Sequence, residues 1–399
     1  MSSGPLMPTY APPSVTFVRG EGSWLWDSEG RRYLDCLSGI AVTSLGHCHP
    51  AVASAVAEQA RTLCHVSNLF GNAIGPEVAA TLDRLIRGSA GAGSGGPGGP
   101  GGQVFFANSG AEVNECAIKL VRRWGGHGGH GRTDVVCAYG SFHGRTLATL
   151  AATGQPAKHE PFQPLPEGFR HVAYDDIGAL EAAVGPSVGA VMVEAIQGEF
   201  GVRTPVDGYL AEVRRVCDEA GALMIVDEVQ TGLGRTGAWW GFCHDEVMPD
   251  IVTVAKALGN GMPIGACWAR SEVAGAFRPG DHGSTFGGQP LAAAAARATL
   301  AVMEAEDAPA RAQGAGARLT ASLAGRPGVA HVRGRGLLLG VALEPGVSAR
   351  AATAAALDQG LVVNAPDDTV IRLAPSLLIS DPEVDDAVEI LGGVLAELA

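Results

Sequence analysis

The sequence contains few aromatic residues, no cluster of basic residues and no apolar run of membrane-spanning length. Aromatic residues make up 6% of the 399 positions, and the formal net charge is -13. Nucleic acid is therefore not an expected partner, because binding the phosphate backbone requires clustered Lys and Arg side chains. The first fifteen residues also lack a basic segment followed by an apolar core. This excludes the usual secretory signal pattern, and we expect a soluble, cytoplasmic protein without a membrane partner.

Closely spaced cysteine pairs are absent as well. The eight cysteines show no CxxC spacing and mostly stand among apolar residues, which is typical of reduced thiols in a core. The run His47-Cys48-His49 suggests a metal, but three consecutive residues cannot easily converge on one ion. His127 and His130 stand in a glycine-rich stretch, which favours a solvated loop. We expect no metal site.

From about residue 50, short apolar runs alternate with helical patterns. This alternation predicts a doubly wound α/β layer with a mostly parallel sheet. The predicted strands cover residues 104–106, 134–138, 190–193, 223–226, 251–254 and 265–268, and the clearest helices cover 111–124, 209–220 and 291–306.

The length predicts two domains or one large one. Residues 49–306 form the predicted large domain. Residues 307–399 form a smaller α+β domain with strands within 331–343, at 362–363 and at 370–373, and a closing helix over 382–399. Residues 1–48, which include a hairpin around Glu29-Gly30, should pack with this smaller domain. Residues 88–102 contain nine glycines and two prolines and predict a flexible insertion, because the GK[ST] ending of a phosphate loop is missing.

Lys256 and Asp227 carry the strongest chemical signal. Lys256 stands among apolar residues in IVTVAKALGNG, where an unpaired ammonium is costly to bury. A Schiff base with an aldehyde cofactor explains such a position, because the amine must be desolvated and deprotonated to react. Asp227 ends an apolar strand and supplies a fixed anion of the kind that keeps a pyridine nitrogen protonated. Together the two residues predict pyridoxal phosphate chemistry.

Other polar groups follow the predicted strands. Residues 108–112 end a strand and begin a helix, where backbone N–H groups favour an anion, although Ser109 could equally be a simple N-cap. Phe142 could stack on a flat ring and Arg145 could bind a carboxylate through two hydrogen bonds. Further groups of this kind are the strand ends Glu194–Glu199 and Asp227–Gln230, and the segment His282–Gly288. Ligands bind α/β sheets at the carboxyl ends of the strands, so we expect these groups to converge.

Seven motifs resemble, in order, those of the class III aminotransferases, which are fold-type I pyridoxal phosphate enzymes. They are SGAEVNECAIKLVR, SFHGRTLATLAATGQ, VEAIQGE, DEVQTGLGRTG, PDIVTVAKALGNGMPIGA, HGSTFGG and RLAPSLLIS. The resemblance covers nearly the whole chain outside the glycine-rich insertion. Within the class, the chain is most similar to the acetylornithine aminotransferases of arginine biosynthesis. The resemblance implies transamination between N2-acetylornithine and 2-oxoglutarate by a homodimer whose active site lies at the subunit interface.

The resemblance also implies a role for each matching residue. Lys256 would bind the cofactor covalently, Asp227 would contact the pyridine nitrogen, Gln230 the phenolic oxygen and Phe142 the ring face. The phosphate would be held by one subunit's residues 109–111 and by Thr285 of the other subunit. Arg145 and Ser284 would bind substrate, and Glu199 would mask Arg372 until 2-oxoglutarate enters. The implied cofactor contacts are Ser109, Gly110, Ala111, Phe142, Asp227, Glu228, Val229, Gln230, Lys256 and Thr285.

Four positions depart from the family pattern: Ala195, Phe200, Gln289 and Ala111, the last where a phosphate-binding threonine is common. Phe200 follows Glu199 and therefore bears on donor preference. The alternative donors are ornithine, 4-aminobutyrate, N-succinylornithine and a lysine-pathway amine. A semialdehyde aminomutase would share the fold and the lysine, but the Glu199–Arg372 pair argues against it. A non-catalytic protein that binds the cofactor is a further alternative, opposed by the intact Lys256–Asp227 pair.

Overall fold

A seven-stranded sheet forms the centre of the computed structural model, which describes residues 5–89, 101–127 and 131–399. Its strand order is β4-β10-β9-β8-β7-β5-β6, and only β10 runs antiparallel to its neighbours. The strands are β4 (Gly102–Ala107), β5 (Asp134–Ala138), β6 (Phe169–Val172), β7 (Val188–Glu194), β8 (Leu223–Asp227), β9 (Ile251–Val254) and β10 (Gly265–Arg270). The predicted mostly parallel α/β sheet is thereby confirmed.

Strands β7, β8 and β9 are buried along their whole length. Parallel strands in a doubly wound sheet are covered by helices on both faces, so they read as continuous apolar runs. Two large apolar clusters pack on this sheet: residues such as Val191, Met224 and Val252 belong to one, and Met192 and Ile225 to the other. The alternation of neighbouring residues between the two clusters follows from the period of two in a β-strand.

The helices connect and cover the strands. They are α1 (Ser38–Ala41), α2 (Pro50–Thr62), α3 (Ile74–Gly88), α4 (Gly110–His127), α5 (Leu147–Ala152), α6 (Pro156–His159), α7 (Ile177–Ala183), α8 (Tyr209–Ala220), α9 (Ser271–Ala274), α10 (Pro290–Ala305), α11 (Ala308–Leu323), α12 (Ala349–Asp358) and α13 (Asp381–Leu398). One short 3-10 turn, Gly241–Asp245, lies between β8 and β9, and another, Lys256–Gly259, lies between β9 and β10. No helix in the described ranges is long and apolar enough to cross a bilayer.

Two four-stranded sheets lie outside the central sheet. The first has the order β1-β2-β3-β13, and the second, β11-β12-β15-β14, is antiparallel. Their strands are β1 (Phe17–Glu21), β2 (Trp24–Asp27), β3 (Arg32–Asp35), β11 (Val329–Arg335), β12 (Leu338–Leu343), β13 (Leu361–Val362), β14 (Asn364–Asp367) and β15 (Val370–Leu373). β13 pairs in parallel with β3, so the first sheet joins residues from near both ends of the chain.

Glu383 adds a second link between the chain ends. It forms a capping box with Ser380 at the start of α13, and its carboxylate also accepts hydrogen bonds from Ser23 Oγ (3.2 Å) and Trp24 Nε1 (2.8 Å). The domain boundaries at residues 48 and 306 stay a prediction.

The observed bounds of most helices and strands lie within two residues of the bounds predicted from the sequence. The strands predicted within 331–343 are β11 and β12, which form a hairpin. Strand β6 was not expected, because its FRHV sequence carries two polar residues. Most of the predicted 88–102 insertion, and the His130 loop, lie outside the described residues.

Candidate active site

The carboxyl ends of five central strands surround one cavity of about 460 Å³. β4, β5, β7, β8 and β9 run in the same direction, so the residues that follow them meet at one edge of the sheet. The cavity is lined by Asn108–Ala111, Asn114, Phe142–Arg145, Glu194, Asp227, Val229, Gln230, Ala255, Lys256, Gly261–Ile264 and Val42. Its volume is within the range of small-molecule and cofactor sites.

Asp227 is a buried carboxylate with fixed partners. Its Oδ2 accepts hydrogen bonds from Asn114 Nδ2 and from His143 Nδ1, both at 2.8 Å, and its Oδ1 accepts from the Val229 N–H at 3.0 Å. Asn114 Nδ2 also donates to the His143 carbonyl at 2.8 Å, so helix α4 and the loop after β5 both position the acid. The side chain is held in one orientation and still lines the cavity.

Lys256 follows β9 and also lines the cavity. Desolvation by the surrounding protein lowers the pKa of its amine, and Arg372 acts in the same direction against the opposing effect of Glu199. Within the described residues its Nζ has no hydrogen-bond or salt-bridge partner. Its φ of 42° lies in the left-handed region that residues with a Cβ seldom adopt. A strained backbone and an amine with a lowered pKa are features of a reactive lysine.

The N-terminus of helix α4 forms one wall of the cavity. Ser109 is its N-cap: Ser109 Oγ accepts from the Glu112 N–H at 3.3 Å, while Glu112 Oε2 accepts from the Asn108 N–H at 2.9 Å. The N–H groups of the first turn have no partner within the helix and favour an anion. A Cβ built on Gly110 would lie 2.9 Å from Val229 Cγ1, so only glycine lets the helix start approach the end of β8.

Phe142 contacts a carboxylate through its backbone and a guanidinium through its ring. Its N–H donates to Glu194 Oε2 at 3.1 Å. Burial, and then the charge of Asp227, raise the pKa of Glu194 well above its usual range. The Arg145 guanidinium lies 5.4 Å from the centre of the Phe142 ring and is exposed at the cavity mouth.

Glu199 and Arg372 form a salt bridge at 2.6 Å. Arg372 is fully buried, and its Nη1 also donates to the Gly198 carbonyl (3.0 Å) and to Gln230 Oε1 (3.2 Å). Although burial acts in the opposite direction, Arg372 keeps the pKa of Glu199 below its ordinary value. The predicted pair is therefore in contact, and Gln230 connects it to the cavity.

Besides Glu199 and Arg372, three predicted site residues do not line this cavity: Glu228, Ser284 and Thr285. The buried carboxylate of Glu228 accepts hydrogen bonds from Thr231 Oγ1, Gly241 N and Phe242 N. Its neighbour Asp227 ends β8 and points into the cavity, and side chains of consecutive extended residues point to opposite faces, which explains the difference. Ser284 lines a second cavity of about 430 Å³. Thr285, the next residue, is exposed on the surface.

Asn114, His143 and Glu194 line the cavity without having been assigned a role from the sequence. A signal was present in all three cases, since each residue stands inside one of the motifs quoted above. Asn114 is a buried polar residue on the otherwise apolar face of α4. Such a residue must find a hydrogen-bond partner, and only the fold identifies this partner as Asp227.

The chain is similar to known proteins over nearly its whole length. The sequence profile of the family "Aminotransferase class-III" matches residues 7–395. The acetylornithine aminotransferase of Corynebacterium efficiens is 48% identical over 396 residues, covering 98% of this chain and 95% of that protein. Among solved structures, the ornithine aminotransferase of Toxoplasma gondii superposes with a TM-score of 0.91 at 34% identity, covering 98% of this chain and 92% of the other. N-acetylornithine aminotransferase from Stenotrophomonas maltophilia gives a TM-score of 0.82 at 37% identity, covering 97% and 96%.

Proposed function

The chain belongs to the class-III aminotransferases, and we propose that it transfers the terminal amino group of N2-acetylornithine to 2-oxoglutarate with pyridoxal phosphate as cofactor. The products are N-acetylglutamate 5-semialdehyde and glutamate. The observation that carries the proposal is the single cavity that brings together the Lys256 amine, the Asp227 carboxylate and Arg145, with the Glu199–Arg372 pair beside it.

The residues present fit pyridoxal phosphate. The cofactor requires an amine that can react, an anion for the ring nitrogen and donors for the phosphate. Lys256 supplies an amine that no other described residue binds. Asp227 supplies a carboxylate with one fixed orientation, and the start of α4 supplies N–H groups without a partner in the helix. Ser109, Gly110 and Ala111 would hold the phosphate, Phe142 would cover the ring, and Val229 and Gln230 would contact its edge. When bound, the group supplies an aldehyde for the donor's amine and a cationic ring that withdraws electrons.

Lys256 acts as the proton carrier. Its lowered pKa keeps a larger share of the amine unprotonated, so that it can accept a proton from the donor carbon and later return one. Asp227 maintains a negative charge opposite the ring nitrogen, and the hydrogen bonds from Asn114 and His143 prevent it from turning away. The raised pKa of Glu194 limits a second negative charge next to Asp227.

Two arginines bind the two kinds of carboxylate. Arg145 is exposed at the mouth and would bind the α-carboxylate of the donor, whose reacting amine lies at the opposite end. Arg372 is neutralised by Glu199 while the donor is present. When 2-oxoglutarate enters, Glu199 must leave Arg372, which then binds the α-carboxylate next to the reacting ketone. A planar guanidinium suits both tasks because it can donate two parallel hydrogen bonds.

The site is proposed to be completed by a second copy of the chain. Thr285 is exposed and does not line the cavity of its own chain, and Phe286, Leu69 and Phe70 beside it are large apolar residues that are 64%, 86% and 70% exposed. Asn68 Nδ2 donates to the Ser284 carbonyl at 2.9 Å and so links the two loops that carry these residues. Large exposed apolar patches of this kind are typical of interfaces. In the homodimer Thr285 would contact the partner's phosphate site, and Ser284 would lie beside the substrate. The cytoplasmic location stays a prediction.

A donor screen tests the proposed function. Purified protein with pyridoxal phosphate is given 2-oxoglutarate and, in turn, N2-acetylornithine, N2-succinylornithine, ornithine and 4-aminobutyrate, and glutamate formation is measured. The highest kcat/KM is expected for N2-acetylornithine. If another donor is preferred by tenfold or more, which corresponds to about 1.4 kcal/mol, the acetylornithine assignment fails while the family assignment stands.

A further inference from the structure

A second cation shares the aromatic ring at the cavity mouth with Arg145. Lys158 belongs to the short helix α6, and its Nζ lies 5.8 Å from the centre of the Phe142 ring, against 5.4 Å for the Arg145 guanidinium. Lys158 is partly buried, and its ammonium donates a hydrogen bond to Gln155 Oε1. Within the described residues, neither cation forms a salt bridge with a carboxylate. Two positive charges therefore lie around one ring of the cavity wall: Arg145 lines the cavity, and Lys158 adjoins the lining through Phe142.

The surroundings of Lys158 show that it shares the electrostatic environment of the site. Burial lowers the pKa of its amine, Arg145 lowers it further, and Glu199 acts in the opposite direction. The nearby carboxylate of Glu199 is already bound to Arg372 at 2.6 Å and is not free to neutralise the mouth. A donor must therefore place its far end next to two cations that have no carboxylate of their own.

This charge distribution discriminates between donors by the group on their α-carbon. A carboxylate on that carbon accepts two hydrogen bonds from Arg145. A free α-amine is an ammonium at neutral pH, and once the donor's own carboxylate is bound to Arg145 it would lie next to like charge with no unpaired protein carboxylate shown beside it in the described residues. Acylation removes this charge and replaces it with a carbonyl oxygen, which is an acceptor for an ammonium.

We propose that Lys158 is a specificity-determining residue that selects donors with an acylated α-amine, its ammonium donating to the acyl carbonyl while Arg145 binds the adjacent α-carboxylate. A lysine suits this task because it is a compact point donor on a flexible stem, whereas the fork of an arginine matches two oxygens. The chain has only three lysines among its 28 basic residues, at positions 119, 158 and 256. The inference rests on the proposed function and extends it from the reaction to the recognition of the acyl group.

Three donors isolate the contribution of the α-substituent. N2-acetylornithine, ornithine and 5-aminopentanoate share the terminal amine and the carboxylate, and they carry an acylamino group, an ammonium and a hydrogen on the α-carbon. The cofactor-loaded dimer is mixed with each donor without 2-oxoglutarate, and kcat/KM of the first half-reaction is measured by stopped-flow absorbance. The variants are Lys158→Gln, Lys158→Glu and Lys158→Arg, with Arg350→Gln as a control that removes one exposed charge on α12.

For Lys158→Gln we expect kcat/KM to fall about tenfold with N2-acetylornithine, to stay within about twofold with 5-aminopentanoate and to rise with ornithine. Lys158→Glu should raise the ornithine value further, because it places an anion near the α-ammonium, and Lys158→Arg should retain most of the acetylornithine preference. Arg350→Gln should change no ratio of kcat/KM between donors.

Two results would overturn the inference. Parallel losses with all three donors would show that Lys158 only assists carboxylate binding, and unchanged ratios between donors would show that it contacts no substrate. A wild-type preference for ornithine or 5-aminopentanoate is a separate outcome, which refutes the proposed function itself.

Discussion

At the scale of single residues, the candidate site depends on how neighbouring side chains limit the freedom of a few reactive groups. The amine of Lys256 has a lowered pKa and no hydrogen-bond partner in the described part of the chain, whereas Asp227 accepts from three hydrogen-bond donors. One group is left free to react and the other is fixed as an electrostatic element. This contrast is what transamination requires of a proton carrier and a ring partner.

Replacing Lys256 by Ala should abolish transamination and leave a folded protein, because the proposed role of the amine is to be both the covalent attachment and the proton carrier. Turnover is measured with N2-acetylornithine and 2-oxoglutarate, and folding is checked by circular dichroism and gel filtration. Activity within about tenfold of the wild type, or about 1.4 kcal/mol of barrier, would contradict this role.

Replacing Asp227 by Asn keeps the shape of the side chain and removes its charge. We expect the activation free energy of the chemical step to rise by about 3 kcal/mol, a magnitude usual for catalytic electrostatic contributions. Single-turnover loss of the cofactor's visible absorbance on adding donor measures this step. An unchanged rate would mean that Asp227 merely organises Asn114 and His143.

The Glu199–Arg372 pair should separate the two half-reactions. Arg372→Lys loses the two-pronged contact, so we expect it to impair the 2-oxoglutarate half-reaction more than the donor half-reaction. Glu199→Ala exposes Arg372 throughout, and glutamate should then compete better with the ω-amine donor. Stopped-flow measurement of each half-reaction checks both variants. Equal slowing of both halves by Arg372→Lys, with unchanged glutamate competition in Glu199→Ala, would leave Arg372 a purely structural role.

At the scale of elements, the sequence predicts strands well where both faces are buried. β8 and β9 are continuous apolar runs, and their ends are marked by Asp227 and by the segment containing Lys256. β6 lies at the sheet edge and has two adjacent polar residues, Arg170 and His171, between its apolar ends, so it gives a weaker signal. The Asn114–Asp227 contact joins residues that are 113 positions apart, so no local pattern reveals it. Glu228 illustrates the same limit, because only the direction of its side chain shows that it stabilises the Gly241–Asp245 turn.

Glu228 makes the stability of the Gly241–Asp245 turn depend on pH. Burial raises the pKa of Glu228 from 4.5 to about 7, despite hydrogen bonds from Thr231 and from the N–H groups of Gly241 and Phe242. Between these two values the folded chain binds a proton that the unfolded chain releases. This contribution to stability is therefore complete below about pH 4.5 and is lost as the pH rises through about 7.

Glu228→Gln should accordingly reduce the loss of stability between pH 5 and pH 8, because the amide keeps a carbonyl acceptor without ionising. The expected difference is on the order of 3 kcal/mol. Apparent Tm values of both proteins at a fixed scan rate, across this pH range, provide the comparison. Parallel curves for the two proteins would show that another group governs the pH dependence.

At the scale of the whole molecule, the proposed site is shared between two chains. Each site would take Lys256 from one chain and Thr285 from the other. The exposed Thr285 and the apolar residues around it make this arrangement testable without a structure of the dimer.

A complementation experiment shows whether each active site takes residues from both chains or from one chain only. Lys256→Ala and Thr285→Glu should each inactivate the homodimer, since the second change places a carboxylate where Thr285 is proposed to contact the phosphate. After dissociation and reassociation of the mixture, each mixed dimer should contain one intact site, formed by Lys256 of the Thr285→Glu chain and Thr285 of the Lys256→Ala chain. Return of activity on mixing is the expected result. No recovery, with mixed dimers verified by mass spectrometry, would place Thr285 in the site of its own chain.

The pairing of β13 with β3 also determines when the protein can be completed during synthesis. β3 ends at Asp35, and its parallel neighbour begins at Leu361. At about 5–20 residues per second, the ribosome needs on the order of half a minute to produce the strand that β3 awaits. During that interval the nascent chain carries an open strand edge, which is a template for pairing with the wrong chain. Newly made chains should therefore depend on chaperones until Leu361 and Val362 emerge.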